Sequence, residues 1–339
     1  MERNEPKYAQ DLFEGLTARF AAVADQAQIA ITGGGVQWRC SAQRGPRSCW
    51  TGCFEVGGPE FLTFFEDAGR RIATARTSSC RETVDAIWHW LDSAPLPAMY
   101  QKFCFVDWEK RKLLSIRETA LTGFPKLGTA SQNELTVTPS GVSHLWFRND
   151  GRSAHIHFAT RHESPQANFG WDDSELFRFN AADPAALGAV LAAWLADNAP
   201  PSKLRKDFPW LQIGPLADYY EKGNPVEGEF IESWNQMEEV YGGSRFPPRT
   251  LVLPFIADLR RAGYDRQLRA GQSIWSLIVS RSRRPRLRPE QPLVSFQFRE
   301  SSMEVYSSNE AEERIFEIPI GMSDTVERVL QRLVTRPID

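Results

Sequence analysis

Five cysteines in 339 residues, odd in number and all within the first third, are too few for a fold held by disulfides. Cys40, Cys49, Cys53, Cys80 and Cys104 instead fit a reducing compartment, and a cytoplasmic protein is expected. Charge of one sign is missing too: forty Lys and Arg stand against forty-three Asp and Glu, for a formal charge of -3. No global field draws the chain to nucleic acid or to a membrane, so any such role needs a local patch. Long hydrophobic runs are absent, because the most apolar stretch, Ala185 to Ala196, is far short of the ~20 residues of a membrane span. Met1 to Lys7 offers charges and Pro6 where a signal peptide would have an apolar core. With 42% hydrophobic and 24% charged residues, the composition is that of one to three globular domains.

Short strand patterns and amphipathic helices fill the chain. Tyr8, Leu12, Leu16, Phe20 and Val23 recur at helical spacing and predict a first helix. Strand signals follow near 29–32, 36–42, 49–56, 61–66 and 71–77, and Ser79 with Glu82 predicts a capping box at the start of another helix. The same plan returns. Strands near 135–137, 143–148, 154–159 and 176–179 lead to a helix from Asp183, and strands near 274–279, 293–298, 303–307 and 314–318 lead to one from Ser323. Trp90-Leu91, Ala94-Pro95 and Phe103 to Val106 parallel Trp194-Leu195, Ala199-Pro200 and Phe208 to Leu211. Such repetition predicts an α+β fold of three antiparallel β-meander-plus-helix units, with an N-terminal helix and inter-unit helices. The expected divisions are 1–122, 132–241 and 250–339, with linkers at Gly123 to Ser131 and Gly242 to Arg249. Residues 225–241 predict an acidic surface helix with one apolar edge, and Pro254 predicts a late start or kink in the helix from about 251 to 262.

Catalytic signatures are scarce. There is no C-x-x-C, no G-x-S-x-G elbow, and Gly33-Gly34-Gly35 sits between strands as a hairpin turn where a phosphate loop would precede a helix. Four of five histidines lie between 144 and 162, and His155 and His157 alternate along a strand, so both face one side and could chelate zinc or another divalent metal, with Glu163 or Asp172 completing the shell. A solvated sheet face explains the same pattern. Cys49 and Cys53 share a strand face and would need Cys40, Cys80 or His89 to make a zinc site, whereas buried strand thiols need none.

Charge segregation is the stronger feature. Between Asp258 and Arg299 there are ten arginines and three acids. Arg281, Arg283, Arg284, Arg286 and Arg288 crowd one inter-strand segment, where guanidinium forks suit carboxylates or phosphates. The segment is either a partner-binding patch or is paired internally with the acidic helix. Trp108, Trp146, Trp171 and Trp234 lie beside charges and are candidate interface anchors.

The stretch Leu204 to Met237, LRKDFPWLQIGPLADYYEKGNPVEGEFIESWNQM, with Val137 to Gly141 before it, resembles an uncharacterised bacterial family labelled natural product biosynthesis protein. That resemblance implies a bacterial origin and no particular chemistry. In style, repeated meander-plus-helix chains are also similar to immunity proteins of bacterial toxin systems. The expected function is non-catalytic: binding of another macromolecule, most simply a protein, within a bacterial defence, immunity or multiprotein assembly, through Arg281 to Arg288 and Trp234. No cofactor is expected under that reading. The alternatives are a metal-assisted hydrolase or nuclease built on His155 and His157, and nucleic-acid binding through the arginine loop.

Overall fold

The computed structural model describes residues 7–21, 27–34, 37–54, 60–159, 164–243, 249–274, 276–284, 291–308 and 314–338. Helix α1 (Lys7–Ala21) precedes strands β1 (Gln28–Gly34), β2 (Gln37–Arg44), β3 (Arg47–Phe54), β4 (Glu60–Asp67) and β5 (Arg70–Thr77), and α2 (Cys80–Leu91) follows them. After α3 (Leu96–Lys102), α4 (Trp108–Gly123) and α5 (Pro125–Ala130) come β6 (Gln132–Val137), β7 (Ser143–Asn149), β8 (Arg152–His157), β9 (Gln166–Trp171) and β10 (Ser174–Asn180). Helix α6 (Pro184–Leu191) runs into a π-helical turn, Ala192–Ala196, before α7 (Pro201–Asp207), α8 (Leu216–Glu221), α9 (Pro225–Gly243) and α10 (Arg249–Arg261). Strands β11 (Arg269–Ser273), β12 (Ser276–Ser280), β13 (Leu293–Phe298), β14 (Ser302–Ser307) and β15 (Arg314–Pro319) then lead to α11 (Asp324–Val334). The fold is α+β: three five-stranded sheets, ordered β1-β2-β3-β4-β5, β10-β9-β8-β7-β6 and β11-β12-β13-β14-β15, separated by helices. By internal packing the chain divides into two compact units, Met1–Ala167 with Asn180–Ala196, and Asn168–Phe179 with Asp197–Asp339.

In the first unit the strands alternate as a half-buried meander requires. Ala73, Ala75 and Thr77 of β5 turn inward onto Ile87, Trp90 and Leu91 of α2 and Leu12 and Leu16 of α1. Ser79 caps α2 by accepting from the Glu82 N–H, as its spacing predicts. The return half of the box is different, because Glu82 accepts from the Thr77 hydroxyl, which itself accepts from the Ser79 N–H. Cys40 and Cys49 lie buried on the core face, and burial pushes the Cys49 thiol up, as expected of a small apolar filler. The Cys53 side chain lies outside the described residues. The expected linker at Gly123 to Ser131 is instead α5, whose Leu127 is fully buried.

An atomic detail repeats between the first two sheets. Arg47 lies over the Trp90 ring at 4.2 Å and donates to the Trp90 carbonyl at 2.8 Å, while the indole N–H donates to the Ser48 carbonyl at 3.1 Å. Arg152 lies over Trp194 at 4.1 Å and donates to its carbonyl at 3.0 Å, and that indole donates to the Ser153 carbonyl at 3.2 Å. Each arginine opens its strand just after a turn glycine, Gly45 or Gly151, with positive φ. The guanidinium thereby locks the closing helix to the hairpin beneath it.

In the second unit, Phe255, Phe296, Val305, Leu330 and their neighbours form the core over which α11 is laid by Val326, Val329, Leu330 and Leu333. Of the late start or kink expected of α10, the late start is not seen: the helix runs from Arg249 through Pro254. Pro254 costs one intrahelical bond there, and the buried Val252, Phe255, Ile256 and Leu259 hold the helix regardless.

Candidate functional site

The described arginines of the loop are directed inward. Helix α9 carries acids on most faces, and Glu229 is the one turned into the protein, at 4% exposure. Gly228 makes this possible: a Cβ there would come within 2.5 Å of Tyr219, so only glycine lets α8 close on α9. Arg283 meets Glu229 in a two-pronged pair, Nε to Oε2 and Nη2 to Oε1, both 2.8 Å. Tyr220 donates to the same carboxylate, Ser174 donates at 2.8 Å, and Arg284 reaches it at 3.5 Å while also bonding the Asp172 carbonyl. Burial pushes the Glu229 carboxyl up, but the hydrogen bonds from Arg283, Tyr220 and Ser174 outweigh it and hold the group below its ordinary range. Arg260 pairs with Glu238 at 2.8 Å, and Arg266 with Glu227 at 3.2 Å.

Arg283 and Arg284, expected as partner contacts, therefore pair with the acidic helix. Beside them an open cleft of about 270 Å³ is lined by four carboxylates, Asp173, Glu175, Glu229 and Glu232, and three guanidiniums, Arg269, Arg283 and Arg284, a balance that does not select an anion. Arg281 is half-buried, and Arg286 and Arg288 lie outside the described residues. Trp234 is a correction: it is wholly buried, its indole donates to the Leu268 carbonyl at 2.8 Å, and it is core with no contact surface to offer. Trp108 packs on Phe158, and Trp171 on Tyr220. Trp210, half exposed, was not signalled by any charged neighbour pattern.

The histidines do converge. Leu145, Phe147, Ala154 and Ile156 point to the core, which leaves His144, Trp146, His155 and His157 half-buried on the opposite face of β7 and β8. Trp146 pairs with His155 and His144 with His157 across the strands. Trp146 stacks on His155 at 4.1 Å and 13°, and His155 on His157 at 4.7 Å and 12°. His144 Nδ1 and His155 Nε2 share a hydrogen bond of 2.7 Å. Arg148 lies over Trp146 and pairs with Glu134 at 3.6 Å. Burial is the first cause lowering all three imidazoles; the His144 charge adds to it at His157, and His157, His144 and Arg148 add to it at His155, which falls to about 4. Glu109 pulls the other way on His144.

No protein-family model and no curated protein matches this chain. The chemistry must be read from the residues alone. His155 and His157 share a face as their spacing predicts, but they are stacked ring on ring, and among the described residues no group of three or more His, Cys, Asp or Glu is arranged to hold a metal. His162 and Glu163 lie outside the described residues, and Asp172 sits in the β9–β10 turn with positive φ. Among the described residues, no helix is long and apolar enough to cross a membrane.

The stacked cluster sets a pH dependence. A histidine whose folded value is depressed binds its proton more readily unfolded, so its contribution is complete above ~6.5 and is lost as pH falls toward about 4. Chemical denaturation between pH 7.5 and 4.5 is expected to show falling stability on acidification. His155→Phe, which keeps the stack without the titration, is expected to flatten that slope; an unchanged slope would refute the assignment.

Proposed function

We propose that this is a non-catalytic polypeptide-binding protein whose contact surface is the histidine–tryptophan face of the second sheet. One observation carries the reading: the Arg–Trp lock of the framework is the same in the first two sheets, while their outer faces differ. In the first sheet the outer aromatics, Trp50 and Phe64, stack at 4.0 Å, and Phe64 is only 1% exposed. A turn of polypeptide covers it, with Arg71 donating to the Pro139 carbonyl and Gly141 close enough that an added Cβ would stand 3.3 Å from the Phe64 ring. The second sheet presents its own stacked rings, Trp146, His155 and His157, only partly buried.

The character of that face selects the partner. Its imidazoles are neutral at pH 7 and Arg148 is balanced by Glu134, so it offers flat rings and single hydrogen bonds, which suit amide-rich protein surface, and no net positive charge to displace the counterions of a phosphate backbone. The assembly is of the bacterial defence or immunity kind that the repeated architecture suggests. Affinity capture from source-cell lysate at pH 7.5, after nuclease treatment, is expected to retain a stoichiometric protein partner equally at low and high salt. Trp146→Ser with His157→Ser is expected to lose it while the melting temperature stays within a few degrees. A partner retained by the double variant, or one released by salt, would overturn the reading.

A further inference from the structure

Cations of the first unit meet acids in several places: Arg44 with Asp92 at 3.0 Å, Arg76 with Glu60 at 3.7 Å and Arg148 with Glu134 at 3.6 Å. One flank of α4 is different. Its first residues, Trp108-Glu109-Lys110-Arg111-Lys112, are divided by the helical period. Glu109 accepts from the Ser143 N–H at 3.2 Å, and Lys110 stands 3.9 Å from the Asp107 carboxylate. Leu113, Ile116 and Ala120 hold the helix to the core. Trp108, Arg111, Lys112 and Ser115 recur at steps of three and four and form a stripe of their own.

That stripe, with Cys104, lines an open cleft of about 390 Å³, within the roughly 300–1,000 Å³ of small-molecule sites. Among the described residues no carboxylate lines the cleft, and neither Arg111 nor Lys112 is paired with one. The cleft beside Glu229 sets guanidiniums against carboxylates, whereas here the positive charge is uncompensated. Arg111 is held from one side: its Nη1 donates to the Tyr100 carbonyl at 3.4 Å and its guanidinium lies 5.0 Å from the Tyr100 ring centre. The fork is thereby positioned before a ligand arrives, and its other N–H groups remain to be used. Trp108 is set by Phe158, with ring centres 4.7 Å apart, and its half-buried indole leaves part of its surface to the cleft. Ser115 adds a hydroxyl that can donate.

We infer that this cleft binds a small phosphate monoester carried on a flat ring, the chemistry shared by nucleoside monophosphates and aryl phosphates. Two unopposed cations match the charge of about -2 that a phosphate monoester carries near neutral pH. Arg111 takes two of its oxygens as a fork, Lys112 supplies a point charge and Ser115 a further donor. The ring of the ligand lies on the open part of the Trp108 indole, which gives it an apolar surface that inorganic phosphate cannot use. A carboxylate would leave one cation unmatched. A nucleic-acid strand needs a track of phosphate contacts longer than this one stripe. The cleft shares no residue with the histidine–tryptophan face and is tested separately from it.

The test is isothermal titration of the full chain at pH 7.5 and low salt with four probes: adenosine monophosphate, phenyl phosphate, adenosine and inorganic phosphate. The two ring-bearing phosphates are expected to saturate a single site, and adenosine and inorganic phosphate to bind about tenfold or more weakly. Tighter binding of the nucleotide would assign the base as well as the phosphate, and equal binding would assign aryl phosphates as a class. Arg111→Gln with Lys112→Gln changes only exposed side chains, so the fold is kept, and is expected to weaken binding about tenfold or more. Arg117→Gln, a charge lost from the same helix outside the cleft, is expected to leave binding unchanged. Iodoacetamide modification of the exposed Cys104, read by mass spectrometry, is expected to slow when the site is filled. Absence of saturable binding, inorganic phosphate bound as tightly as phenyl phosphate, or undiminished binding by the double variant would overturn the proposal.

Discussion

Arg283→Ala is expected to destabilise the protein by about 3 kcal/mol or more, because it strands a carboxylate that is 4% exposed with the more distant Arg284 and Arg269 to balance it. The cost lies in the uncompensated buried charge, so Glu229→Gln, which removes the charge and keeps the shape, is expected to cost less than Arg283→Ala. Arg283→Lys should behave much more like alanine than like arginine. A single ammonium cannot reproduce the two-pronged geometry to Oε1 and Oε2. Because Glu229 titrates below its ordinary range in the folded chain, the pair contributes fully above the unfolded carboxylate value and is lost as pH falls through the depressed one. Urea denaturation of the three variants at pH 7 and at pH 4 checks the ranking. Equal stability of wild type and Arg283→Ala would show that the arginine loop is ordinary surface after all.

The second large effect falls on the repeated lock. Trp90→Ala and Trp194→Ala are each expected to cost about 3–5 kcal/mol, since both rings are fully buried and both indoles bond a carbonyl of the neighbouring strand. The two values should be alike, because ring, guanidinium and carbonyl recur with nearly the same geometry. Trp90→Phe and Trp194→Phe should recover most of the loss, leaving the indole bond, worth about 1 kcal/mol, and part of the ring contact with Arg47 or Arg152. Guanidinium unfolding of the four variants measures this. A large effect at one tryptophan and none at the other would mean that the resemblance of the two copies is only of backbone.

Architecture was legible where period and punctuation agreed. Strand β14, Ser302–Ser307, alternates strictly between half-buried and buried positions, and Ser323 caps α11 by accepting from the Val326 N–H. Strands β9 and β11 were not legible, because QANFGW and RAGQS are rich in residues that favour turns, and the sheet, with α9 packed on β11, holds them extended. Helix α4 hid for another reason: its buried stripe is only Leu113, Ile116 and Ala120 among charged residues. In the candidate site, strand periodicity put His155 and His157 on one face, and the approach of His144 and Trp146 required the cross-strand register of β7 and β8. Glu229 was hidden among similar glutamates. Its inward turn was signalled only by small neighbours, Gly228 and Ser233, which leave room beside it. The lock itself was written plainly, as Gly45-Pro46-Arg47-Ser48 and Gly151-Arg152-Ser153, and needed only to be compared.

The division between a repeated framework and a variable binding face is tested most directly by diethyl pyrocarbonate footprinting of the histidines, with and without the captured partner. His144, His155 and His157 are predicted to lose reactivity in the complex, while His89, on α2 in the first repeat, keeps its own. Unchanged modification of the three histidines in a saturated complex would contradict the account and place the partner elsewhere on the protein.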